Sequence, residues 1–397
     1  MTYEEIKEEI CEEVRANLDL SREMENEEVK ELIYRVIAEY TGPQYLSMAQ
    51  KETLGKEIFA SVRELDILQE LVDDDTITEI MVNGPKEIFV EKKGHIYKTD
   101  KQFVSEEKLE DVIQQIVASC NRVVNECMPI VDARLSNGSR VNIVLKPPAI
   151  NGPIVTIRRF PENAITMEDY IAFGSITREA AEFLQKAVAY GYNIFISGGT
   201  GSGKTTLLNI LSNSIPQSSR VITIEDSAEL QIKGVENLVS METRNGNREG
   251  CEEISIKDLI KTALRMRPDR IIIGEVRGEE AFYLLQALNT GHDGSLATAH
   301  ANSAADMLLR LEMMVLMGKE LPLPAIRRQI VSGIDILVHL GRMRDRVRKV
   351  MEIVEVMGMD GEEILLNPLF SLEEDGKGNH SLIRINRLQN REKWIEE

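Results

Sequence analysis

Residues 194–206 constrain the fold more than any other part of the chain. They read Ile-Phe-Ile-Ser-Gly-Gly-Thr-Gly-Ser-Gly-Lys-Thr-Thr, an apolar run followed by a glycine-rich turn and a helix start. Glycines at such a turn let successive backbone N–H groups surround a polyphosphate, and the helix N-terminus adds positive charge. The pattern predicts a strand, a phosphate-binding loop and a helix, and it indicates binding of ATP or GTP.

The predicted loop assigns a role to each of its polar residues. Lys204 is expected to reach the terminal phosphates, and the Thr205 hydroxyl is expected to bind Mg2+. The predicted nucleotide contacts are Gly198, Gly199, Thr200, Gly201, Ser202, Gly203, Lys204, Thr205 and Thr206.

Length and composition limit the class of protein. A chain of 397 residues predicts two or three domains, and 43% hydrophobic with 28% charged residues is typical of a globular protein. No apolar stretch approaches the ~20 residues that cross a bilayer. The first residues are rich in glutamate, which does not resemble a secretory or mitochondrial targeting segment. We therefore expect a cytoplasmic protein.

Cysteine spacing and charge exclude further classes of site. The four cysteines, Cys11, Cys120, Cys127 and Cys251, form no CxxC pair, which argues against a zinc site and against a disulfide framework. Lys and Arg number 47 and Asp and Glu 66, a net charge of -19, and aromatic residues are only 5%. These values argue against a nucleic-acid partner.

Periodicity predicts the domain organisation. Apolar residues at helical spacing predict a small helical module, and short strands around one helix then predict an α+β domain in which 134–145 is one of the strands. Apolar runs at 193–197, 221–225 and 270–274 alternate with helices, which predicts an α/β domain with a parallel sheet. The predicted boundaries are 1–65 for the helical module, 66–160 for the α+β domain, 161–175 for a linker, 176–378 for the ATPase domain and 379–397 for a polar tail.

Two predicted strands end in acids. Glu225 ends the run 221–225, and strand C-termini in such sheets face the ligand crevice, so Glu225 is expected to orient water. Its alternative role is to cap the following segment together with Asp226. Glu275 follows the run 270–274 in the position of a Walker B acid, where it would hold Mg2+ or act as base.

Two histidines lie on short polar turns after the second acid. His292 and His300 flank the apolar Leu296, and functional groups often lie on such loops, so both are predicted to sense phosphate. The methionines at 313, 314 and 317 are predicted to pack in the core.

Arginines complete the predicted catalytic groups. Arg134, Arg140, Arg158 and Arg159 all precede the nucleotide domain, and arginines contributed from another domain or subunit would make hydrolysis depend on closure. The alternative for any one of them is a surface salt bridge. The basic run 342–349 is predicted to be the solvated side of a β-hairpin or a docking surface.

As an ordered set, these motifs resemble the type II/type IV secretion ATPase superfamily (GspE/PulE-like) over residues 60–360. Residues 198–205 match its Walker A, 222–229 its Asp box, 271–275 its atypical Walker B and 290–302 its His box. The sequence of the segments 71–84, 132–142 and 264–278 is most similar to that of the CpaF-type ATPase of tight-adherence (Tad/Flp) pili. The tetracysteine zinc module and the retraction-motor signature of other branches are missing.

The resemblance implies a RecA-like P-loop domain preceded by an α+β (PAS-like) domain and a helical module. It implies a hexameric, Mg2+-dependent ATPase that acts on integral membrane platform proteins and lies peripherally at the cytoplasmic membrane. It also implies that Glu225 and Glu275 share water activation and Mg2+ binding, and that the four arginines close on phosphate. The alternatives are a conjugation or protein-secretion motor, a nucleotide-gated scaffold with little turnover, and a DNA translocase, which the charge disfavours.

Overall fold

The computed structural model describes residues 3–18, 24–40, 46–92, 94–120, 122–159, 165–244, 252–343, 347–374 and 380–394. It divides into two compact units, Met1–Asn163 and Ala164–Glu397. The described strands form a six-stranded sheet in the first unit and a nine-stranded sheet in the second. The predicted α/β class is confirmed.

Three amphipathic helices begin the first unit. Their apolar faces pack together, and Ile6, Ile33 and Leu54 are buried to 1% exposure or less. The third helix begins earlier than its apolar pattern, because Ser47 and Gln50 cap it reciprocally through side-chain and backbone hydrogen bonds. The helices are α1 (Tyr3–Ala16), α2 (Asn26–Glu39) and α3 (Met48–Arg63).

The six-stranded sheet follows, after a 3-10 turn at Asp66–Leu68. Its strand order is β3-β2-β1-β6-β5-β4, every neighbouring pair is antiparallel, and the helix α5 shares one apolar core with one face of the sheet. The elements are α4 (Gln69–Asp73), β1 (Ile77–Asn83), β2 (Ile88–Lys92), β3 (His95–Lys98), α5 (Glu106–Ser119), β4 (Ile130–Arg134), β5 (Arg140–Val144) and β6 (Ile154–Arg158).

The single strand predicted over 134–145 is wrong, because the chain reverses direction within it. Arg134 ends β4 and Arg140 begins β5, and the two residues are cross-strand partners. Between them Gly138 has φ 86°, a left-handed conformation that suits glycine in a hairpin turn after Asn137. The sequence therefore contains a hairpin signal, Asn-Gly, that the apolar pattern hides.

The second unit is a doubly covered sheet of order β15-β14-β13-β12-β7-β11-β10-β8-β9. Strands β12, β7, β11, β10, β8 and β9 run parallel, whereas β13, β14 and β15 add antiparallel pairs. The strands are β7 (Ile194–Gly198), β8 (Arg220–Glu225), β9 (Asn237–Glu242), β10 (Arg270–Ile273), β11 (Leu296–Ala299), β12 (Ile336–Arg342), β13 (Arg348–Asp360), β14 (Glu363–Glu374) and β15 (His380–Arg384).

Helices cover both faces of this sheet, which is why its central strands are continuously apolar. Every residue of β7, β10 and β11 is buried. The helices are α6 (Met167–Ala172), α7 (Arg178–Ala189), α8 (Lys204–Ser212), α9 (Ile256–Ala263), α10 (Glu280–Leu288), α11 (Ala304–Gly318) and α12 (Leu323–Gly333).

Two predicted boundaries of this unit differ from the structure. Within the predicted linker, residues 160–164 lie outside the described residues, but α6 is a capped helix whose Met167 and Tyr170 are buried in the core of the second unit. The predicted polar tail contains β15, and Leu382 and Leu388 are buried against the same core. Apolar residues spaced among polar ones hid both segments from the sequence analysis.

The prediction of core packing for the methionines of α11 is only partly right. Met314 is buried, whereas Met313 is 67% and Met317 74% exposed, with Leu309 and Leu316 on the same side. The helix therefore has one buried and one exposed apolar stripe. In the described residues, no helix combines the length and apolar character needed to span a membrane.

Candidate active site

The glycine-rich loop lies at the C-terminal end of β7, the middle strand of the nine-stranded sheet. Gly201 and Gly203 have φ of 69° and 95°, and α8 begins directly after Gly203. A Cβ at Gly198 would lie 2.6 Å from the carbonyl oxygen of Leu340 on β12, so any side chain there would displace backbone. The sequence thus forms the strand, loop and helix that cradle a phosphate in P-loop proteins.

The residues of the loop fit a nucleotide phosphate. The Ser202 hydroxyl is buried and has no hydrogen-bond partner among the described residues, and Thr205 lies in the first turn of α8. No cluster of three or more metal-binding side chains occurs in the described part of the chain. Mg2+ in nucleotide sites is held by one or two protein oxygens together with phosphate oxygens, so this donor set suits a nucleotide-bound Mg2+.

Lys204 is bound at the mouth of the loop. Its Nζ donates to the carbonyl oxygens of Gly198 at 3.2 Å and Gly199 at 3.1 Å, and it lies 3.1 Å from Nδ1 of His300. Burial lowers the pKa of Lys204, although the negative charge of Glu275 opposes the shift. A phosphate bound in the loop could therefore take the place of these two carbonyl oxygens as the partner of the Lys204 ammonium.

Glu275 is the acid nearest this lysine, and it follows β10. Its Oε1 lies 2.8 Å from Nε2 of His300, and its Oε2 accepts a hydrogen bond of 2.8 Å from Arg277. Because the Lys204 ammonium can only donate, Nδ1 of His300 accepts and Nε2 carries the hydrogen. The contact of Nε2 with Glu275 is close but lacks hydrogen-bond geometry, and Oε1 of Glu275 is buried without a hydrogen-bond partner among the described residues. Lys204, His300 and Glu275 thus form one polar chain beside the loop.

Arg277 was not predicted from the sequence, and it links the two acidic strand ends. Its guanidinium contacts Oε2 of Glu275 and, at 3.0 Å, Oδ2 of Asp226 after β8. Burial alone would raise the pKa of Glu275, but the hydrogen bond and charge of Arg277, with a contribution from the charge of Lys204, lower it. The signal that could have identified Arg277 is a lone cation two residues after the Walker B acid.

Glu225 has a different environment at the end of β8. Its side chain is 3% exposed, and its carboxylate accepts hydrogen bonds from the backbone N–H groups of Glu229 at 2.9 Å and Leu230 at 3.1 Å. Burial raises the pKa of Glu225 to about 7, against the effect of these hydrogen bonds. A Cβ at Gly274 would lie 3.0 Å from its Cγ, so glycine is needed to admit Glu225 between the strands. The side chain of Glu225 therefore holds the backbone of the loop that follows β8.

The two predicted histidines lie at opposite ends of β11. His300 follows the strand at the edge that carries the phosphate loop, whereas His292 precedes it. Nδ1 of His292 contacts the Ala287 carbonyl at 3.0 Å and the Thr290 hydroxyl at 3.3 Å, which closes the turn after α10. The structure therefore does not bring His292 to the loop, because the buried strand β11 separates the two turns.

A buried histidine that sequence analysis did not single out supports the strand before the loop. Nδ1 of His339 on β12 lies 2.9 Å from Oγ of Ser197, the residue that precedes Gly198. His339 is the cross-strand partner of Glu352, and burial lowers its pKa. A neutral His339 thus fixes the Ser197 side chain, at the end of β7 next to the phosphate loop.

The predicted arginines belong to the first unit, where three of them form a row. Arg134, Arg140 and Arg158 are successive cross-strand partners on β4, β5 and β6, so their side chains share one face of the sheet, with Glu79 beside Arg158. The Nε of Arg134 donates to the Gly138 carbonyl at 3.0 Å. One face of this sheet therefore carries a line of positive charge.

Arg159 has a structural role instead. Its guanidinium donates to the carbonyl oxygens of Asp74 and Ile77 and forms an ion pair of 2.9 Å with Asp75, and its side chain is only 10% exposed. These contacts hold the chain before β1 against the end of β6. We therefore do not carry Arg159 forward as a phosphate-binding residue.

Comparison with known proteins identifies the family. The model of the Type II/IV secretion system protein family matches residues 62–359, about three quarters of the chain. The conjugal transfer protein TrbB of Rhizobium radiobacter is 33% identical over 307 residues, which are 77% of this chain and 91% of that protein. Uncharacterized protein MJ0781 of Methanocaldococcus jannaschii is 42% identical over 261 residues, 64% of this chain but only 36% of the relative.

A solved structure shares the fold. The pilus retraction motor PilT with bound ADP has a TM-score of 0.53 at 18% identity, and the match covers 82% of this chain and 84% of PilT. The RecA-like domain with a preceding N-terminal domain, expected from the sequence, is confirmed by this likeness. The chain belongs to the type II/type IV secretion ATPase superfamily, whose members hydrolyse ATP.

Proposed function

We propose that this chain is the subunit of a hexameric, Mg2+-dependent ATPase that powers assembly of a Tad/Flp-type pilus through a membrane platform protein at the cytoplasmic face. The observation that carries the ATPase part is Glu275, a carboxylate of lowered pKa held between Arg277 and His300 at the end of β10. An ionised acid beside the phosphate-binding lysine is what orientation of an attacking water requires.

The residues around the glycine-rich loop have separate roles in the proposed hydrolysis. The backbone of the loop and Lys204 bind the phosphates, and Thr205 would hold Mg2+, which neutralises charge on the transferred phosphoryl group when it is bound. Glu275 takes the water-orienting role, and His300 links it to Lys204. The carboxylate of Glu225 accepts hydrogen bonds from the loop that follows it, so we assign Glu225 the structural role of holding that loop and not a role in proton transfer.

The row of arginines supports a role for the first unit. We infer that Arg134, Arg140 and Arg158 stabilise charge on the phosphoryl group, either within one chain or from a neighbouring subunit. Arginines used in this way change turnover by about a thousandfold or more. The substitution Arg140→Met is therefore expected to lower kcat strongly while nucleotide affinity stays within a few fold.

A conjugation motor is the second candidate function, because TrbB is similar to this chain over most of both lengths. The two functions differ in what an inactive motor abolishes in the source organism. Chromosomal replacement by Glu275→Gln removes surface filaments if the chain is a pilus motor, and it removes DNA transfer between cells if the chain is a conjugation motor.

Phosphate release and nucleotide binding, measured on the same purified protein, test the ATPase assignment. Glu275→Gln should lower kcat by roughly a hundredfold or more and leave ATP affinity within a few fold, because it removes only the carboxylate that orients the attacking water. Lys204→Ala should weaken binding as well. Glu363→Gln, at the exposed start of β14, is the matched control and should resemble the wild type. Wild-type turnover in Glu275→Gln, or no ATP binding by the wild type, would overturn the assignment.

A further inference from the structure

The basic hairpin of the second unit carries two arginines that face each other. Arg342 ends β12 and Arg348 begins β13, and they are cross-strand partners, so both side chains lie on one face. Like charges in this position destabilise a hairpin unless an anion lies between them. Among the residues that the structure describes, no carboxylate lies within ion-pair distance of either guanidinium.

The same hairpin lies directly against the phosphate loop. Leu340 on β12 pairs with Gly198 at the end of β7. A Cβ on Gly203 would meet Cδ of Arg348 at 3.5 Å, so the Arg348 side chain passes over the last glycine of the loop. The Arg348 side chain is nevertheless exposed, which leaves its guanidinium accessible to a ligand.

A buried hydroxyl marks the other side of Arg348. Tyr170 on α6 is 4% exposed, and its hydroxyl has no hydrogen-bond partner in the described part of the chain. Burial raises the pKa of Tyr170, and the nearby charge of Arg348 opposes that shift. The N–H of Val350 donates to the carbonyl of Ser175 at 2.9 Å, which fixes the start of β13 beside α6. Arg348 therefore lies between the phosphate loop and an unsatisfied polar group.

The order of the strands says which end of a nucleotide this residue would meet. Glu275 and His300 follow β10 and β11, on one side of β7, whereas Arg348 comes from β12 and β13 on the other side. The hydrolytic groups are thus on the flank opposite Arg348. A phosphate chain that ends at Glu275 would leave the loop towards Arg348 with its nucleoside end.

We propose that Arg348 is a nucleotide-binding residue that contacts the phosphate on the nucleoside side, away from the bond that is hydrolysed. This inference rests on the proposed ATPase function and adds a residue to its site. Because the contact is the same in substrate and product, it contributes to the binding of ATP and ADP alike and has little effect on turnover.

The test compares Arg348→Met, Arg348→Lys and Lys349→Met in the full chain. Lys349 neighbours Arg348 on the strand but points to the other side, where its Nζ donates to the His380 carbonyl, so it controls for the loss of one charge. Dissociation constants for ATP, ADP and adenosine and the values of kcat and KM are measured for each protein, with thermal unfolding as a check on folding.

We expect Arg348→Met to weaken ATP and ADP by about tenfold or more, the effect of one charge-assisted contact, with kcat within threefold. Arg348→Lys should fall between the wild type and Arg348→Met, and adenosine binding and Lys349→Met should change less than twofold. Unchanged ADP affinity in Arg348→Met would overturn the inference, and so would a loss confined to ATP. A wild type that binds neither nucleotide would instead overturn the proposed function.

Discussion

At the scale of single residues, environment separates two acids that the sequence presents as equivalents. Glu225 and Glu275 both follow apolar strands, but backbone N–H groups bind the first and a guanidinium binds the second. The pKa is about 7 for Glu225 and lowered for Glu275. Carboxyls whose environments move their pKa values apart commonly have different roles, and here the acid of lowered pKa lies beside Lys204 of the glycine-rich loop.

Arg277 is expected to act through Glu275. Arg277→Met should lower kcat by roughly tenfold or more and leave ATP affinity within threefold, because Glu275 loses the donor that orients it. Arg277→Lys should recover part of the turnover, since a lysine restores the positive charge but cannot contact Glu275 and Asp226 at the same time as the guanidinium does. Steady-state kinetics with direct ATP binding measure both quantities. Equal kcat for Arg277→Met and the wild type would refute the positioning role.

Glu225 should make the second unit less stable as pH rises. Its pKa in the folded state, about 7, exceeds the unfolded value of 4.5, so the folded state binds more protons between these values. The carboxyl therefore costs stability progressively from about pH 4.5 to 7, by roughly 3 kcal/mol when complete. Relative to Glu225→Gln, the wild type should lose that amount between pH 5 and pH 8.

Urea unfolding followed by Trp394 fluorescence measures this difference, because Trp394 is the single tryptophan and packs in the second unit. Parallel stability curves for the two proteins across this pH range would mean that Glu225 is not buried as described.

The positions of the glycine-rich loop, of Lys204 and of the two acids at strand ends were predictable because each follows a strand or loop pattern with its own sequence signature. Arg277 and Arg348 were not, since each depends on contacts between elements distant in sequence. His292 was misplaced for a related reason. A four-residue strand puts its two ends at opposite edges of the sheet, and spacing along the sequence does not show which edge carries the ligand.

At the scale of elements, the last part of the chain is held by one buried carboxylate. Glu355 on β13 is 1% exposed and accepts hydrogen bonds from the backbone N–H groups of Gln389 and Asn390 and from the Asn367 side chain. These bonds fix the segment after β15, which brings Trp394 to 5.5 Å from the ring of Phe183. The segment is thus part of the core of the second unit.

Glu355→Ala should release this segment, because it removes the buried carboxylate that accepts hydrogen bonds from the N–H groups of Gln389 and Asn390. The expected loss in free energy of unfolding is about 2–5 kcal/mol, and the emission of Trp394 should shift to longer wavelength as the indole becomes exposed. Glu374→Ala, at the exposed end of β14, is the control and should leave the emission unchanged. A wild-type spectrum for Glu355→Ala would contradict this account of the segment.

Element predictions succeeded where one period dominates and failed where two signals compete. The buried strands and the helices α5 and α7 were predicted from apolar runs and helical spacing. The hairpin between β4 and β5 was missed because its turn, Leu-Ser-Asn-Gly-Ser at 135–139, was included in one predicted strand although only Leu135 is apolar. The exposed stripe of α11 was missed because an apolar helix face looks the same in sequence whether it is buried or exposed.

At the scale of the whole molecule, the two units divide the predicted machinery between them. The phosphate loop, Glu275 and the histidines belong to the second unit, and the row of three arginines belongs to the first. The net charge of -19 fits a motor that acts on protein partners better than one that grips a nucleic acid. Turnover should therefore respond to the state of assembly.

The most direct test is Mg2+-dependent phosphate release from ATP over a series of protein concentrations, with mass from light scattering on the same samples. We predict that turnover per subunit of the wild type rises as the mass approaches six chains, and that Glu275→Gln assembles equally but releases almost no phosphate. Turnover that is independent of concentration, or that survives in Glu275→Gln, would contradict an assembly-dependent ATPase that uses Glu275.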